Sequence, residues 1–485
     1  MRDLSLELVE LIAQHCPSSK DRASLCRVNR WFYNGTIRLL YRNVMLNTLN
    51  QYYAFGGSLK ANHNNRCYTR RLDLSSLTTR GARLTKREAD KVIVAEELTE
   101  ILRNCYYLEE LSIGEQTLRA YANSSLRQPI FHHETRLTTI EFIDIGDRSM
   151  IPGLERFLKV RMDRSTRPRA RAGWASSTQD AAKSELLGED EEGGKDVGLK
   201  EATTVVHDDW LIPAKLESIS FYMCVALSQE NFFIPFFDTF AASEHCQRLR
   251  KLDMAYTRVT GRLFSSLRKV TQLTHLSVKG CHVLSCCSPF IDFIENSHDL
   301  VELNMDMSMN GIGSTRFCAD CLGRIVRSVG RKIKSLDMGG HDGLTDTVLE
   351  RWMKQPSDLL QHVKYVSLAY CRHISQDGLR AFIAGLPHLF YLNLAQIAFK
   401  RDFRLVPPLL EMIHSTNAHI KVLEVGCTHR RCDDEPLYGW KPAMNGRRFF
   451  YSRDEVEPRF VYSNKILFTE QEQLSPLNRY WSFIS

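Results

Sequence analysis

The sequence predicts an α/β fold: a small all-α segment, then a horseshoe of stacked strand–helix units with a parallel sheet on its concave face and helices on its convex face. Three observations predict it. One six-residue phrase keeps returning: apolar, two variable, apolar, one variable, apolar. It reads Leu108-Glu-Glu-Leu111-Ser-Ile113 and starts again at Leu137, Leu216, Leu249, Leu273, Leu300, Ile333, Val363, Leu389 and Ile420, with a weaker copy at Thr69. Most starts lie 24 to 33 residues apart, room for one short strand and one return helix. The segments between phrases carry helical spacing. Val94, Leu98, Ile101 and Leu102 share one face, and Ser, Thr or Asp stands where an N-cap is wanted in Leu344-Thr-Asp-Thr-Val348 and Ile374-Ser-Gln-Asp-Gly-Leu379.

No single unit of this kind can bury its apolar face alone; stacking creates one long core and one long concave surface. Such a surface is expected to bind. The phrase and its period resemble the leucine-rich repeat, in its longer, cysteine-containing form. Cys224, Cys281, Cys371 and Cys427 each follow a strand by a few residues, the position that holds a small buried residue in such repeats. The resemblance therefore implies that these cysteines are buried thiols behaving as small hydrophobes, with no disulfide network.

Composition narrows the rest. Of 485 residues, 43% are hydrophobic, enough for a large core, yet no run of about 18 apolar residues exists, so no membrane partner is expected. Asp3, Glu7 and Glu10 at the start oppose a secretory signal, so a cytoplasmic or nuclear location is expected. The net charge of +7 is mild and partly due to Arg161, Arg164, Arg167, Arg169 and Arg171, so nucleic acid is not implied. No phosphate-binding glycine loop or Gly-x-Ser-x-Gly elbow is present, so neither catalysis nor a cofactor is expected. Cys318-Ala-Asp-Cys321 has the spacing of half a zinc site or a redox pair, which His282, Cys286 and Cys287 approach only if the stacking allows. The expectation is buried repeat cysteines and no metal.

Residues 67–430 are assigned to the solenoid. Within it, residues 161–209 run basic, then Ser/Ala-rich, then acidic and glycine-rich, and are expected to form a disordered insertion on the rim. Residues 431–485 supply Trp440, Phe449, Phe450, Tyr451, Phe460, Tyr462, Phe468, Trp481 and Phe483 and are expected to cap the exposed end of the core.

Residues 1–45 do not follow the repeat and read as three short helices, with a linker at 46–66. Leu8, Leu11, Ile12 and His15 share the first face; Leu25, Val28 and Phe32 the second, with Trp31 alongside; Ile37, Leu40, Tyr41 and Val44 the third. Asn34-Gly35 is expected to break the second from the third. Leu4-Ser-Leu-Glu7-Leu8-Val9-Glu-Leu11-Ile12 resembles the opening of an F-box, and Cys26-Arg-Val28-Asn29-Arg-Trp31 and Leu40-Tyr41-Arg42-Asn43-Val44 resemble its middle and end. The usual second proline is Ser5 here, a residue able to cap the first helix instead. The tail Gly439-Trp440-Lys441-Pro442…Gly446-Arg447-Arg448 is similar to the ends of several fungal F-box proteins. An F-box before leucine-rich repeats resembles the substrate receptors of SCF-type ubiquitin ligases. That resemblance implies a non-catalytic subunit. Leu4, Leu8, Leu11, Ile12, Leu25, Val28 and Trp31 would bind a Skp-family adaptor, and through it cullin and RING subunits. The repeats would hold a protein substrate for ubiquitination and degradation. The alternative is a non-degradative scaffold on the same adaptor.

The residue between the last two apolar positions of each phrase is expected on the concave face. In order these are Ser112, Glu141, Ser220, Asp253, Ser277, Asn304, Asp337, Ser367, Asn393 and Glu424. None is Lys or Arg, so a basic or uncharged substrate segment is expected, held around Asp253, Asp337, Tyr365, Tyr391 and Glu424.

Overall fold

The computed structural model describes residues 4–16, 19–78, 93–126, 136–162, 207–210, 212–286, 289–308, 317–354, 359–397, 406–425, 438–445 and 448–453. Each phrase becomes one short strand, and the strands stack in chain order. Among the described residues they form a 14-stranded sheet, parallel from β1 (Asn43–Met45) through β2 (Arg71–Asp73), β3 (Glu110–Ile113) and β4 (Thr139–Phe142). β5 (Lys159–Met162) and β6 (His207–Trp210) leave this sheet and pair antiparallel with each other. The main sheet resumes with β7 (Ser218–Ser220), β8 (Lys251–Asp253), β9 (His275–Ser277), β10 (Glu302–Asn304), β11 (Ser335–Asp337), β12 (Tyr365–Ser367), β13 (Tyr391–Asn393) and β14 (Val422–Glu424). The register places Ser220 opposite Asp253, Asp253 opposite Ser277, Asn304 opposite Asp337 and Asn393 opposite Glu424. The repeat phrase is therefore in phase along the solenoid.

Alternation sends two residues of each phrase into the core. Leu252 and Met254, Leu276 and Val278, and Leu336 and Met338 are all buried. Return helices such as Ala319–Val329, Asp346–Met353 and Gln376–Ala384 close the other side with Leu322, Val326, Trp352, Leu379 and Phe382. The wider repeat after the insertion is filled by aromatics: Phe221 meets Phe232, Phe233, Phe236 and Phe237 with centroids 5.2–6.1 Å apart.

A left-handed residue recurs four positions after the central buried residue of the strand, such as Leu252: Asp144, Met223, Tyr256, Gly280, Gly340, Tyr370 and Gln396 all have positive φ. The reason is a hydrogen bond. The N–H of this residue donates to the next unit, as Tyr256 does to the Lys279 carbonyl, Gly280 to Asp306 and Tyr370 to Ala395, each at 2.7 Å. The ladder thus continues past the strand through a turn that L-residues adopt only at some cost. Glycine removes that cost at 280 and 340. At 340 a Cβ would also lie 2.4 Å from the Ser308 nitrogen.

Several boundaries differ from the sequence expectation. The N-terminal helices are α1 (Leu6–His15), α2 (Ser19–Cys26) and α3 (Arg30–Arg42), and α3 runs unbroken through Asn34-Gly35. Gly35 lets two helices approach rather than breaking one, because a Cβ there would sit 2.7 Å from Val9 Cγ1. The Asn29 side chain caps α3 by accepting from the Trp31 and Phe32 nitrogens at 2.9 Å. The segment 46–66 holds a helix, Leu49–Ala61, with a capping box at Thr48 and Gln51, and buries Tyr52, Phe55 and Leu59. With Val44 and Leu46 over β1 it forms an extra first unit.

At the insertion, residues 161–162 and 207–209 belong to the β5–β6 ribbon, where a loop was expected. Trp210 packs on Phe232 and Phe236. The remainder, 163–206, lies outside the described residues. At the far end, β15 (Trp440–Asn445) and β16 (Arg448–Arg453) form a hairpin, and β16 pairs antiparallel with β14. Trp440, Phe449, Phe450 and Tyr451 are buried there, while the later aromatics from Phe460 to Phe483 lie outside the described residues.

Candidate functional site: an apolar helical face and a polar concave ledge

The first feature is built by α1–α3. Val9 and Ala13 on α1 pack inward, with Phe32 and Ile37 of α3 buried too. Ser5 caps α1, accepting from the Leu8 N–H at 3.3 Å, the role that offsets the missing proline. The Arg22 side chain donates to the Ala13 carbonyl and the Trp31 indole N–H to the Leu4 carbonyl, tying α2 and the chain start to the bundle.

With Val9 and Ala13 inward, the larger apolar positions Leu8, Leu11 and Ile12 of α1 face out. Leu8, Leu11 and Ile12 are 40–48% exposed, Val28 is 54% exposed and Trp31 44%. Leu4 and Leu25 are half-buried. Of the thirteen large hydrophobics exposed among the described residues, six fall within residues 6–31. Scattered single hydrophobics are ordinary on a surface; this concentration on one small bundle marks an interaction face. Beside it, a polar cleft of about 600 Å³ is lined by Glu10, Arg38, Arg42, Arg70 and Tyr107. Arg70 is already engaged, 3.4 Å from Glu109 and stacked 4.7 Å over Tyr107, so the cleft is mainly a seam between bundle and solenoid.

The second feature is the concave ledge, which corrects the expected substrate contacts. Asp253, Asp337, Tyr391 and Glu424 do lie on the concave side of the sheet, but all four are buried; only Tyr365 is half-exposed. Their side chains serve the fold. Asp253 Oδ1 accepts from the Ala255 N–H at 2.9 Å, Asp337 Oδ1 from Gly339 at 3.1 Å, Asn304 from Asp306 at 3.0 Å and Asn393 from Ala395 at 2.9 Å. Short polar side chains bonding to the backbone two residues on form Asx turns, which explains why Asp, Asn and Ser recur in this column. Glu424 accepts from the Tyr391 hydroxyl, and Glu141 from Ser112. The side chains left at the surface are instead those of the left-handed column: Asp144 is exposed, and Met223, Tyr256, Tyr370 and Gln396 are half-exposed. Sequence reading passed over this column, although Gly280 and Gly340 mark its conformation.

A charged cluster sits beneath the ledge. Lys279 Nζ lies 2.9 Å from Asp306 Oδ2, with both side chains buried. Burial opposes charge on both, yet Asp306 together with Tyr256 and Asp337 holds the Lys279 ammonium above its ordinary pKa, and Lys279 holds Asp306 below its own. Burial raises Asp253 to about 6, and burial together with the Asp306 charge raises Asp337 to about 7. These two carboxyls bind a proton more tightly folded than unfolded. The resulting stabilisation is complete below the ordinary value of 3.8 and is lost as pH rises through about 6 and 7. Asp337→Asn should therefore flatten the pH dependence of the melting temperature between about pH 4 and 7 and raise the melting temperature at neutral pH and above. An unchanged slope, read by thermal unfolding across that range, would refute the assignment.

The cysteines divide into two kinds. Cys224, Cys281 and Cys371 are buried and donate to the Phe142, Met254 and Met338 carbonyls at 3.0–3.3 Å, and burial raises Cys281 and Cys371 to about 12. They are inert core thiols; Cys427 lies outside the described residues. Cys321 is buried as expected, and Cys318 departs from the expectation. Cys318 is exposed at the start of the helix Ala319–Val329, Cys321 is buried in its first turn, and Cys286 comes to them from the preceding repeat.

No family model matches the chain, and no curated protein sequence matches it. Among solved structures it is similar to the yeast Rad7–Elc1 complex, at 10% identity over 82% of this chain and 91% of that one, with a TM-score of 0.42. It is also similar to the leucine-rich-repeat protein LegL7 of Legionella pneumophila, at 12% identity over 77% and 96%, TM-score 0.37. A third is TLR13 in complex with ssRNA13, at 12% identity over 75% and 47%, TM-score 0.31. The chain itself is an α/β solenoid of leucine-rich-repeat architecture.

Proposed function

We propose that this chain is a non-catalytic substrate receptor of an SCF-type ubiquitin ligase. It would dock a Skp-family adaptor through α1–α3, with cullin and RING subunits following, and present a protein substrate from the repeats. The observation that carries the reading is the exposed apolar face of Leu8, Leu11, Ile12, Val28 and Trp31 on a bundle whose sequence resembles an F-box. An apolar helical face of this kind fits a partner that supplies its own apolar helices, since the area buried drives association. The repeats would then raise the effective concentration of substrate lysines beside the ubiquitin-conjugating enzyme.

The substrate reading moves with the geometry. With the strand-end acids Asp253, Asp337 and Glu424 buried and already hydrogen-bonded, the contact surface would be the rim residues Met223, Tyr256, Tyr370 and Gln396 together with Tyr365. Tyr365 and Tyr370 suit such a surface because tyrosine combines large contact area with a polar tip, whereas Tyr256, whose hydroxyl is buried, would offer its ring. A cytoplasmic or nuclear location follows from this function. The test is to mix the purified full chain with a purified Skp-family adaptor and measure association by calorimetry and size exclusion. A one-to-one complex is expected; absence of any complex at micromolar concentrations would sink the reading.

A further inference from the structure

The three thiols of Cys286, Cys318 and Cys321 come from two adjacent repeats. Cys286 lies in the segment leaving β9, ahead of the helix Pro289–Glu295, and Cys318 and Cys321 open the helix Ala319–Val329. The two helices are already held side by side: Arg324 bonds Glu295 at 2.7 Å and Asp292 at 3.2 Å. These bonds join the middle of the second helix to the middle and end of the first, and near the helix starts the three Sγ atoms fall within 4.8 Å of one another. Three thiolates around a tetrahedral zinc at about 2.3 Å stand about 3.8 Å apart, so closure needs only small side-chain rotation. The core thiols of Cys224, Cys281 and Cys371 behave differently, each pointing at a backbone carbonyl.

We propose that Cys286, Cys318 and Cys321 form a binding site for a thiophilic divalent cation of the zinc class, a metal staple between two successive repeats. Binding forms three metal–sulfur bonds and releases the thiol protons to solvent, with no oxidation or reduction. Among the described residues these three thiols are the donors brought together, and a fourth ligand would be water or a further side chain. A soft donor set of three sulfurs selects zinc over calcium or magnesium, which require oxygen ligands. The proposal does not depend on adaptor binding; it concerns the middle of the solenoid, far along the chain from α1–α3.

The test uses cobalt(II) as the probe, added to the fully reduced full-length chain. One equivalent should bind with a sulfur-to-cobalt charge-transfer absorption, and zinc should displace it. Cys318→Ser and Cys286→Ser should each weaken binding at least tenfold, while Cys67→Ser, an exposed cysteine in the 3₁₀ turn His63–Cys67, should leave it unchanged. Because Cys318 is exposed, its serine variant should keep the far-ultraviolet dichroism of the parent, which separates lost ligation from lost fold. The proposal is overturned if the reduced parent shows no charge-transfer band, or if the band survives in the Cys318 and Cys286 variants. Air oxidation to a Cys318–Cys321 disulfide at the same rate with and without zinc would also overturn it, in favour of a redox pair.

Discussion

Leu8→Asp combined with Leu11→Asp should abolish association with a Skp-family adaptor while leaving the melting temperature nearly unchanged. Both residues are close to half exposed, so the free chain loses little packing. At an interface the same two leucines would be covered, and each truncation or charge there typically costs roughly 2 kcal/mol or more. Two buried, unpaired carboxylates add a desolvation penalty on top. The combined loss exceeds about 4 kcal/mol, a drop of roughly a thousandfold in affinity. Val9→Asp is the contrasting variant: Val9 is fully buried against Gly35, so it should unfold the bundle itself. Calorimetric titration beside thermal unfolding separates the two cases. Undiminished binding by the double variant would place the adaptor elsewhere and remove the main support for the receptor reading.

The solenoid was legible because two periods coincide. Alternation within each phrase and the 24 to 33 residue spacing between phrases both had to hold, and together they fix register as well as fold. That is why Asp253, placed by counting alone, does stand opposite Ser220 and Ser277. What alternation leaves open is how deep a concave side chain lies and what it bonds. An Asp facing inward reads the same whether it meets a ligand or its own backbone two residues later, and here it meets the Ala255 N–H. The helix α3 shows the same ambiguity in glycine. Asn34-Gly35 is a turn signal taken alone, but the Val9 contact that demands Gly35 lies 26 residues away in the chain. The segment 46–66 was missed because its helix buries Tyr52, Phe55 and Leu59 without a preceding full phrase to announce a unit. The thiol trio was only half legible: Cys318 and Cys321 show their spacing, and only the stacking of repeats brings Cys286 to them.

Lys279→Met should destabilise the solenoid strongly, by about 3–5 kcal/mol, because it leaves Asp306 buried without its cation. The pair lies two residues past the strand ends of neighbouring units, where the ladder passes from strand to left-handed turn. The Tyr256 N–H donates to the Lys279 carbonyl and the Gly280 N–H to the Asp306 carbonyl, so the backbone of both residues is part of that ladder. Buried ion pairs are costly to form, and their replacement as a pair is often nearly neutral, whereas removal of one member strands the other. The second arm uses this asymmetry. Lys279→Met with Asp306→Asn removes both charges and keeps an acceptor for the Ser308 N–H, which Asp306 Oδ1 now satisfies at 2.8 Å. The double variant should recover most of the loss, giving a coupling energy of roughly 2 kcal/mol or more in a double-mutant cycle. Denaturant unfolding followed by far-ultraviolet dichroism reads both arms. Adaptor binding should persist in the double variant, since the pair lies in the middle of the solenoid, several repeats from α1–α3. Substrate capture tests the ledge itself: Tyr256, the neighbour of this pair, is a proposed rim contact, so a variant with restored stability and lost capture would put the substrate on this ledge. Equal losses in the single and double variants would show that Lys279 contributes by packing its stem and that the buried ion pair has no special weight in holding the concave face.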